Sequence, residues 1–304
     1  MNNLDRINYY LNYNNEFSKD NSNVNIYHVA NNHYHKIYEY NIDDSIDELI
    51  EFMNNRNNGF YKNYLKKILE IIKKNSYKGN FNIMIGDNRL KLDAFMFVKT
   101  RNLNDKNSII LKNFNYNRHW DFSFKDISFK KKKNKVIWRG ATTGYDNDKK
   151  SSRRLLVENW FNINKNIDIG FSLICQNSNN LAKYKKNRLS REEMLKYKFI
   201  IAVEGNDKAS GLNWNLASNS VVMMTKPKVC SWLMEDKLIP GIHYILLKND
   251  FSDLLDKYNW AIKNLKKCKE ININAKKYMS QFMDIENENK IEEEVIKTYY
   301  ENLK

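Results

Sequence analysis

The sequence predicts an α/β protein built on parallel sheets, and three observations carry this prediction. Short apolar runs alternate with segments of helical spacing across residues 136–265. Such alternation is typical of βα units and a parallel sheet. Five of the nine glycines lie between Gly140 and Gly211, where two of the apolar runs end. The length of 304 residues favours about two domains.

Individual elements follow from the spacing of apolar residues. In the N-terminal part, this spacing predicts helices over 43–56 and 60–74, and strands over 81–85 and 94–98. The first 40 residues show no clear period and stay unassigned. In the C-terminal part, strands are predicted over 136–138, 167–174, 199–203, 220–224 and 243–247. Helices are predicted there over 152–161, 191–197, 212–217, 251–265 and the last 20 residues.

Composition excludes several classes of protein. Hydrophobic residues make up 42% and aromatics 13% of the chain, which excludes a disordered or collagen-like protein. No apolar run approaches the ~20 residues of a membrane span, and the first residues lack a signal-peptide pattern. We therefore expect a cytoplasmic protein with at most peripheral contact with an anionic membrane. The three cysteines form no CxxC pair, which favours free thiols.

Charge alone does not identify a partner. The formal net charge is +15, which attracts polyanions such as nucleic acid, anionic lipid or phosphorylated small molecules. Lys130 to Lys133, with Lys135, form a basic run that fits a nucleic-acid patch or a solvated linker. We place a domain boundary before it. This gives an N-terminal domain over 1–128, a second domain over 129–285, and a last helix over 286–304.

Two predicted strands end in glycine-containing segments. The first runs from Val136 through Arg139-Gly140-Ala141-Thr142-Thr143, and the second continues 199–203 into 204–211. In open α/β sheets, ligands bind beyond the carboxyl ends of the strands. Glycine lets backbone N–H groups approach a phosphate, and Arg suits bidentate phosphate recognition. These segments therefore predict either a phosphate or nucleotide site or ordinary βα turns. Neither is a Walker A or GxGxxG motif.

Three motifs in order resemble the CAP10-type glycosyltransferases of family 90. They are WRGATTG with SSRRLL, then KFIIAVEGNDKASGLNWNLASNSVVMM, and then SWLMEDKLIPGIHYILLKNDFSDL. The resemblance runs from about Trp138 to Leu254. The segments EGND and SNSVV are most similar to the bacterial, lipopolysaccharide-modifying branch. The family also contains eukaryotic protein O-glucosyl- and xylosyltransferases.

The resemblance implies a GT-B architecture, with two Rossmann-like domains facing a central cleft. The domain over 1–128 would be the acceptor side, the domain over 129–285 would bind the nucleotide sugar, and the helix over 286–304 would pack back on the first domain. The resemblance further implies a UDP-sugar donor, UDP-glucose or UDP-xylose, and inversion at the anomeric carbon without a required metal. The acceptor would be a hydroxyl of a glycan, a lipid-linked glycan or a protein. Asp146-Asn147-Asp148 has the DxD spacing of a metal site, but its polar surroundings favour a solvated loop.

The resemblance also places roles on residues. Asp87 matches the family's general base. Arg139 and Arg153, with Arg154 as the substitute for Arg153, are the cations for the leaving diphosphate. Further donor contacts are expected along both glycine-containing segments, from Gly140, Ala141, Thr142, Glu204, Gly205, Asn206, Asp207, Lys208, Ala209 and Ser210.

One departure from the family pattern and several ambiguous residues remain. Relatives carry Arg or Lys where this chain has Asn213, and Lys208 is the candidate substitute. Glu235 and Asp236 fit either sugar-hydroxyl contacts or a surface acidic pair. Two alternative functions stay open. One is a degenerate protein that binds UDP without turnover, and the other is a basic nucleic-acid-binding protein, which no known nucleic-acid motif supports.

Overall fold

A computed structural model describes residues 1–12, 23–30, 33–41, 45, 47–49, 51, 62–77, 81–112, 121–144, 151–176 and 178–302. The DxD motif and most of the helix predicted over 43–56 lie outside these residues.

The described residues form eight α-helices and twelve strands. The helices are α1 Asn3–Leu11, α2 Lys62–Lys74, α3 Ser152–Trp160, α4 Arg191–Met194, α5 Leu212–Ala217, α6 Leu254–Lys263, α7 Leu265–Ser280 and α8 Ile285–Glu301. The strands are β1 Asn23–Ala30, β2 His33–Asn41, β3 Phe81–Ile85, β4 Met96–Val98, β5 Thr100–Asn102, β6 Ser108–Ile110, β7 Lys133–Ala141, β8 Ile167–Leu173, β9 Tyr197–Ala202, β10 Val221–Met224, β11 Val229–Ser231 and β12 Ile245–Leu246.

The chain divides into two compact units. The first contains residues 1–118, 229–233 and 284–304, and the second contains 119–228 and 234–283. The division falls ten residues before the boundary set at the lysine run. The reason is that residues just before this run already pack on the second unit. Asp126 accepts hydrogen bonds from Lys132 and from the backbone N–H of Asn219, and Phe129 packs against the core there.

The second unit is built on a five-stranded parallel sheet in the order β12-β10-β9-β7-β8. Read in chain order, this is the 2-1-3-4-5 arrangement of doubly wound α/β folds. The chain leaves β7 towards β8 on one side and returns to β9 on the other. The strands are buried apolar runs, as parallel strands covered on both faces require. Their side chains form one core with α3, α6 and α7.

The first unit has a second five-stranded sheet, in the order β2-β1-β3-β4-β6. Strands β1, β3, β4 and β6 are parallel, and β2 pairs antiparallel with β1 at the edge. Helix α8 contributes Tyr299 to this unit, where its ring meets Phe81 and Phe97. The predicted α/β class with parallel sheets is therefore confirmed in both units.

A buried ion pair joins the two ends of the chain inside the first unit. Arg6 on α1 donates two hydrogen bonds to the carboxylate of Glu288 on α8, and Trp232 donates its indole N–H to the same group. Tyr10 stacks on Trp232 and accepts hydrogen bonds from Arg6. Burial disfavours the charge of Arg6, but the hydrogen bond to Glu288 and the nearby charges raise its pKa. The ion pair is thus satisfied on both sides.

We expect Glu288→Ala to destabilise the first unit strongly, because it removes the carboxylate that accepts two hydrogen bonds from the buried guanidinium of Arg6. Removing one partner of a buried pair costs about 3–5 kcal/mol. Urea unfolding should show this loss. Glu286→Ala, on the exposed side of the same helix, is the matched control and should change stability by less than about 0.5 kcal/mol. Equal effects of the two substitutions would contradict the prediction.

Candidate nucleotide-binding site

The two glycine-containing segments lie side by side at the carboxyl edge of the second sheet. Strands β7 and β9 are hydrogen-bonded neighbours, with Val136 opposite Phe199 and Ile137 opposite Ile200. The chain beyond both strands therefore emerges at one place. This is the switch point of the sheet, where successive connections diverge to opposite sides and leave a crevice for a ligand.

Arg153, in the first turn of α3, ties the two segments together. Its guanidinium donates to the carbonyl oxygen of Val203 beyond β9, at 3.3 Å from Nη2, and to that of Ala141 at the end of β7, at 3.2 Å. It also donates to the hydroxyl of Thr143 at 2.5 Å. Helix α3 holds it in place because Ser151 caps the helix by accepting from the N–H of Arg154. A cation thus stands between the two strand ends.

The close approach of Arg153 explains the glycine at 205. A Cβ atom at this position would lie 2.7 Å from Nη2 of Arg153 and 3.0 Å from the hydroxyl of Thr143. Real Cβ atoms do not approach heavy atoms so closely. Gly140 has a different reason, because a Cβ there would lie 2.5 Å from the ring of Trp138. Of these two glycines, only Gly205 is set by the packing of the cation.

The loop after β9 contains a second cation, Lys208, which is buried. Its Nζ lies 3.4 Å from Oδ1 of Asn213 and 3.9 Å from the carboxylate of Glu235, which is also buried. Lys208 is the candidate substitute for the basic residue that relatives carry at position 213, and the structure brings it to the side chain of Asn213. It also places Glu235 inside the unit and not on the surface.

Two unsatisfied amide groups lie on α5, which follows this loop. Among the residues that the structure describes, the buried Nδ2 of Asn213 has no hydrogen-bond partner, and Oδ1 of Asn215 has none either. Buried polar groups are nearly always hydrogen-bonded, so an exception needs an explanation. An acceptor atom of a bound ligand would satisfy the Asn213 amide.

The remaining loop residues differ in exposure. Glu204 accepts the backbone N–H of Lys228 at 2.8 Å, which fixes the start of the loop. Asp207 and Ala209 are buried, whereas Asn206 and Ser210 are half-buried. Their assignment as donor contacts stays a prediction.

Two predicted site residues on the β7 side bind the neighbouring strand region. Thr142 donates its hydroxyl to the carbonyl of Cys175 and accepts the N–H of the same residue. Arg139 donates to the carboxylate of Asp168 on β8 at 2.9 Å and to the carbonyl of Asn187. A role of Arg139 at a diphosphate stays a prediction and would require it to leave Asp168.

Asp168 binds two cations, because its carboxylate accepts hydrogen bonds from Arg139 and also from Lys186, the latter at 2.8 Å. Burial alone would raise the pKa of this carboxyl group, but the hydrogen bonds from Lys186 and Arg139 outweigh burial and lower it. The sequence analysis did not predict this cluster. The available signal was Asp168, a single carboxylate between Ile167 and Ile169 in the otherwise apolar strand β8.

Asp87, the predicted base, lies in the first unit beyond the carboxyl end of β3. Gly86 precedes it with a φ of 91°, a conformation that favours glycine. The side chain of Asp87 is 42% exposed and forms an ion pair with Lys99, beyond the neighbouring strand β4. The hydroxyl of Thr100 donates to the carbonyl of Asn88 at 3.0 Å. Two adjacent pairs therefore fix the loop, and sequence reasoning did not single out Lys99.

Strand order defines the second unit as an α/β unit of the doubly wound type, with a glycine loop and a bridging arginine at its switch point. The family model described as glycosyl transferase family 90 matches residues 115–304. The chain belongs to this family, as the sequence motifs indicated.

Two relatives and one solved structure show the range of the similarity. The chain is 31% identical to O-glucosyltransferase LpsA of Dichelobacter nodosus over 211 residues, which cover 68% of this chain and 63% of LpsA. It is 35% identical to protein O-glucosyltransferase 2 of Danio rerio over 79 residues, which cover 26% of this chain and 16% of that protein. HepE of Anabaena, solved with UDP-glucose, aligns with a TM-score of 0.43 at 9% identity, covering 83% of this chain and 81% of HepE.

Asp168→Asn should reduce stability at neutral pH, because it removes the partner of Arg139 and Lys186. A carboxyl group whose pKa is lowered by folding contributes stability above its unfolded pKa of about 3.9. That contribution disappears as the pH falls through the lowered folded pKa. Urea unfolding of wild type and variant should therefore differ at pH 7 and converge towards pH 3. A difference that is constant with pH would contradict the prediction.

Proposed function

We propose that the chain is an inverting glycosyltransferase that moves a sugar from a UDP-sugar to a hydroxyl group. The family and the named relatives support the reaction class, and LpsA and the Danio rerio protein are both named as glucosyltransferases. UDP-glucose is therefore the first donor to test and UDP-xylose the second. The acceptor class is a glycan, such as a lipopolysaccharide-type chain, or a protein hydroxyl.

The observation that carries the proposal is the position of Arg153 between the ends of β7 and β9. A diphosphate at this switch point would meet the guanidinium and the N–H groups of the loop 205–210. Both groups attract negative charge, and the charged guanidinium forms stronger hydrogen bonds with phosphate oxygens than a neutral N–H group does. Lys208 lies in this loop, and Asn213, in the first turn of α5, lies beside it. Both side chains would add polar contacts to the UDP-sugar.

The proposed chemistry is a single in-line displacement. Asp87 takes the proton of the acceptor hydroxyl, the acceptor oxygen bonds to the anomeric carbon, and the bond from that carbon to the diphosphate breaks with inversion. Lys99 stabilises the ionised form of Asp87, which a base requires before reaction. The cations of the second unit balance the charge that develops on UDP. These side chains supply the charge a metal would supply, so the proposal includes no required metal.

Arg153→Ala should weaken UDP binding by about 10- to 100-fold, because a hydrogen bond to a charged group is worth about 1.5–3 kcal/mol. Arg139→Ala is the comparison variant. If Arg139 also contacts the diphosphate, UDP affinity falls in both variants. If it serves only Asp168, Arg139→Ala lowers stability and leaves affinity unchanged. Calorimetric titration with UDP and with uridine measures this, since a phosphate contact does not affect uridine. Unchanged UDP affinity in Arg153→Ala would contradict the proposed site.

Purified protein should transfer or hydrolyse sugar from UDP-glucose or UDP-xylose in the presence of EDTA. Asp87→Asn should lower turnover by about 10²–10⁴-fold, the usual contribution of a general base, and should keep UDP affinity. Asp93→Asn, an exposed carboxylate in the same β3–β4 connection, is the control and should keep activity. UDP binding without turnover in wild type would favour the degenerate alternative. A wild-type protein that shows no binding and no turnover would refute the proposal.

A further inference from the structure

The amino edge of the second sheet, where β7, β8, β9 and β10 begin, is rich in exposed lysines. We use "amino edge" for this surface. It lies across the sheet from the carboxyl edge that carries the glycine loop. Its exposed lysines are Lys130, Lys131, Lys133, Lys165, Lys196 and Lys276.

Hydrogen bonds show that these lysines share one surface. The N–H of Lys133 donates to the carbonyl of Lys196 at 2.8 Å, which joins the starts of β7 and β9. Lys276 on α7 donates to Oδ1 of Asn219, just before β10, at 2.9 Å. Lys165 is adjacent to Asn166, whose carbonyl accepts the N–H of Val136 in β7 at 2.8 Å.

Acidic groups near the amino edge do not cancel this charge. Asp126 is already bound by Lys132, which is buried, and by the N–H of Asn219. Glu193 is engaged in the capping box of α4 with Ser190. Its neighbour Glu192 is exposed and subtracts one charge. Glu270, one turn before Ile273 on α7, is exposed and pairs with Lys267. The six exposed lysines therefore outnumber the three exposed glutamates named here, which leaves a net positive surface.

Exposed aliphatic side chains lie among these lysines. Ile127 is 39% exposed, and its carbonyl accepts a hydrogen bond from Asn219, the partner of Lys276. Ile163 is 67% exposed and lies two residues before Lys165, whereas Ile273 is 54% exposed and lies one turn before Lys276. Lysines interspersed with exposed apolar side chains suit a surface that is anionic outside and apolar beneath.

We propose that the amino edge binds the surface of an anionic lipid bilayer. The lysines pair with lipid phosphates, and the three isoleucines enter the boundary between headgroups and acyl chains. Nucleic acid fits less well, because its backbone gives aliphatic side chains no apolar partner and the exposed cations named here are lysines, not the arginines that read bases bidentately. Bound in this way, the second unit keeps its carboxyl edge away from the bilayer.

The first measurement is sedimentation of the full chain with vesicles. Wild type should bind vesicles of phosphatidylcholine with about 30% phosphatidylglycerol, and binding should weaken with salt, as screening requires. It should bind pure phosphatidylcholine vesicles far less. Equal binding to both kinds, or no binding to the anionic vesicles at low salt, would overturn the proposal.

Two triple variants locate the surface. The first variant, Lys130→Gln/Lys131→Gln/Lys133→Gln, removes three charges at the amino edge. We expect each substitution to weaken the affinity for anionic vesicles roughly fivefold. Lys226→Gln/Lys228→Gln/Lys248→Gln removes three exposed lysines of the same unit that follow the carboxyl ends of β10 and β12, and this variant should bind almost as wild type. Equal losses in both variants would mean that net charge alone attracts the vesicles, which overturns the proposal.

A third variant tests the apolar part. Ile127→Ser/Ile163→Ser keeps every charge, and it should bind anionic vesicles several-fold more weakly and bind a 20-base-pair DNA duplex as wild type does. If it binds vesicles unchanged, the isoleucines do not enter the bilayer and the proposal fails in this form. If wild type binds the duplex more tightly than vesicles of equal phosphate content, the surface is a nucleic-acid site instead. Thermal unfolding of every variant checks that each is folded.

Discussion

The guanidinium of Arg153 bridging two strand ends is the interaction on which the candidate site depends. Its hydrogen bonds to the carbonyls of Ala141 and Val203 hold the segments after β7 and β9 at a fixed separation. Those bonds use backbone acceptors that would otherwise need water or another donor. The requirement for glycine at 205 is a direct consequence. A single side chain thus sets both the loop geometry and the charge of the site.

Three cations discussed above each lie beside a carboxylate. Arg139 forms an ion pair with Asp168, Lys208 lies near Glu235, and Lys99 forms an ion pair with Asp87. In each pair the anion compensates a cation that would be costly to bury alone. The formal net charge of +15 therefore says little about these three pairs, in which each cation has an anion beside it. The unmatched charge lies elsewhere, and the amino edge of the second sheet is one such place.

Much of the second unit could be predicted from sequence, because its strands are continuous apolar runs punctuated by glycine. Helix α5 lies where the spacing placed it, and β9 and β10 agree to within two residues. The hairpin of β1 and β2 escaped prediction because its apolar alternation is short: Val24 and Ile26 alternate with Asn, and the register then shifts between Ile26 and Tyr27. Helix α7 was missed since its many lysines obscure a narrow buried stripe that includes Ile271, Ala275 and Met279. For the site, sequence supplied the residue types, but pairing of Arg139 with Asp168 depends on strand order, which no local pattern contains.

The salt link between Arg6 and Glu288 spans 282 positions, so the first unit is closed by a helix that is synthesised after the second unit. Residues 119–283 contain the whole second unit, together with the five residues 229–233 of the first unit, and they are synthesised before α8. During synthesis, the second unit can therefore acquire its core while Arg6, Tyr10 and Trp232 still wait for their partner. The order of assembly is thereby reversed relative to the order of the sheets along the chain: the unit that begins first is completed last.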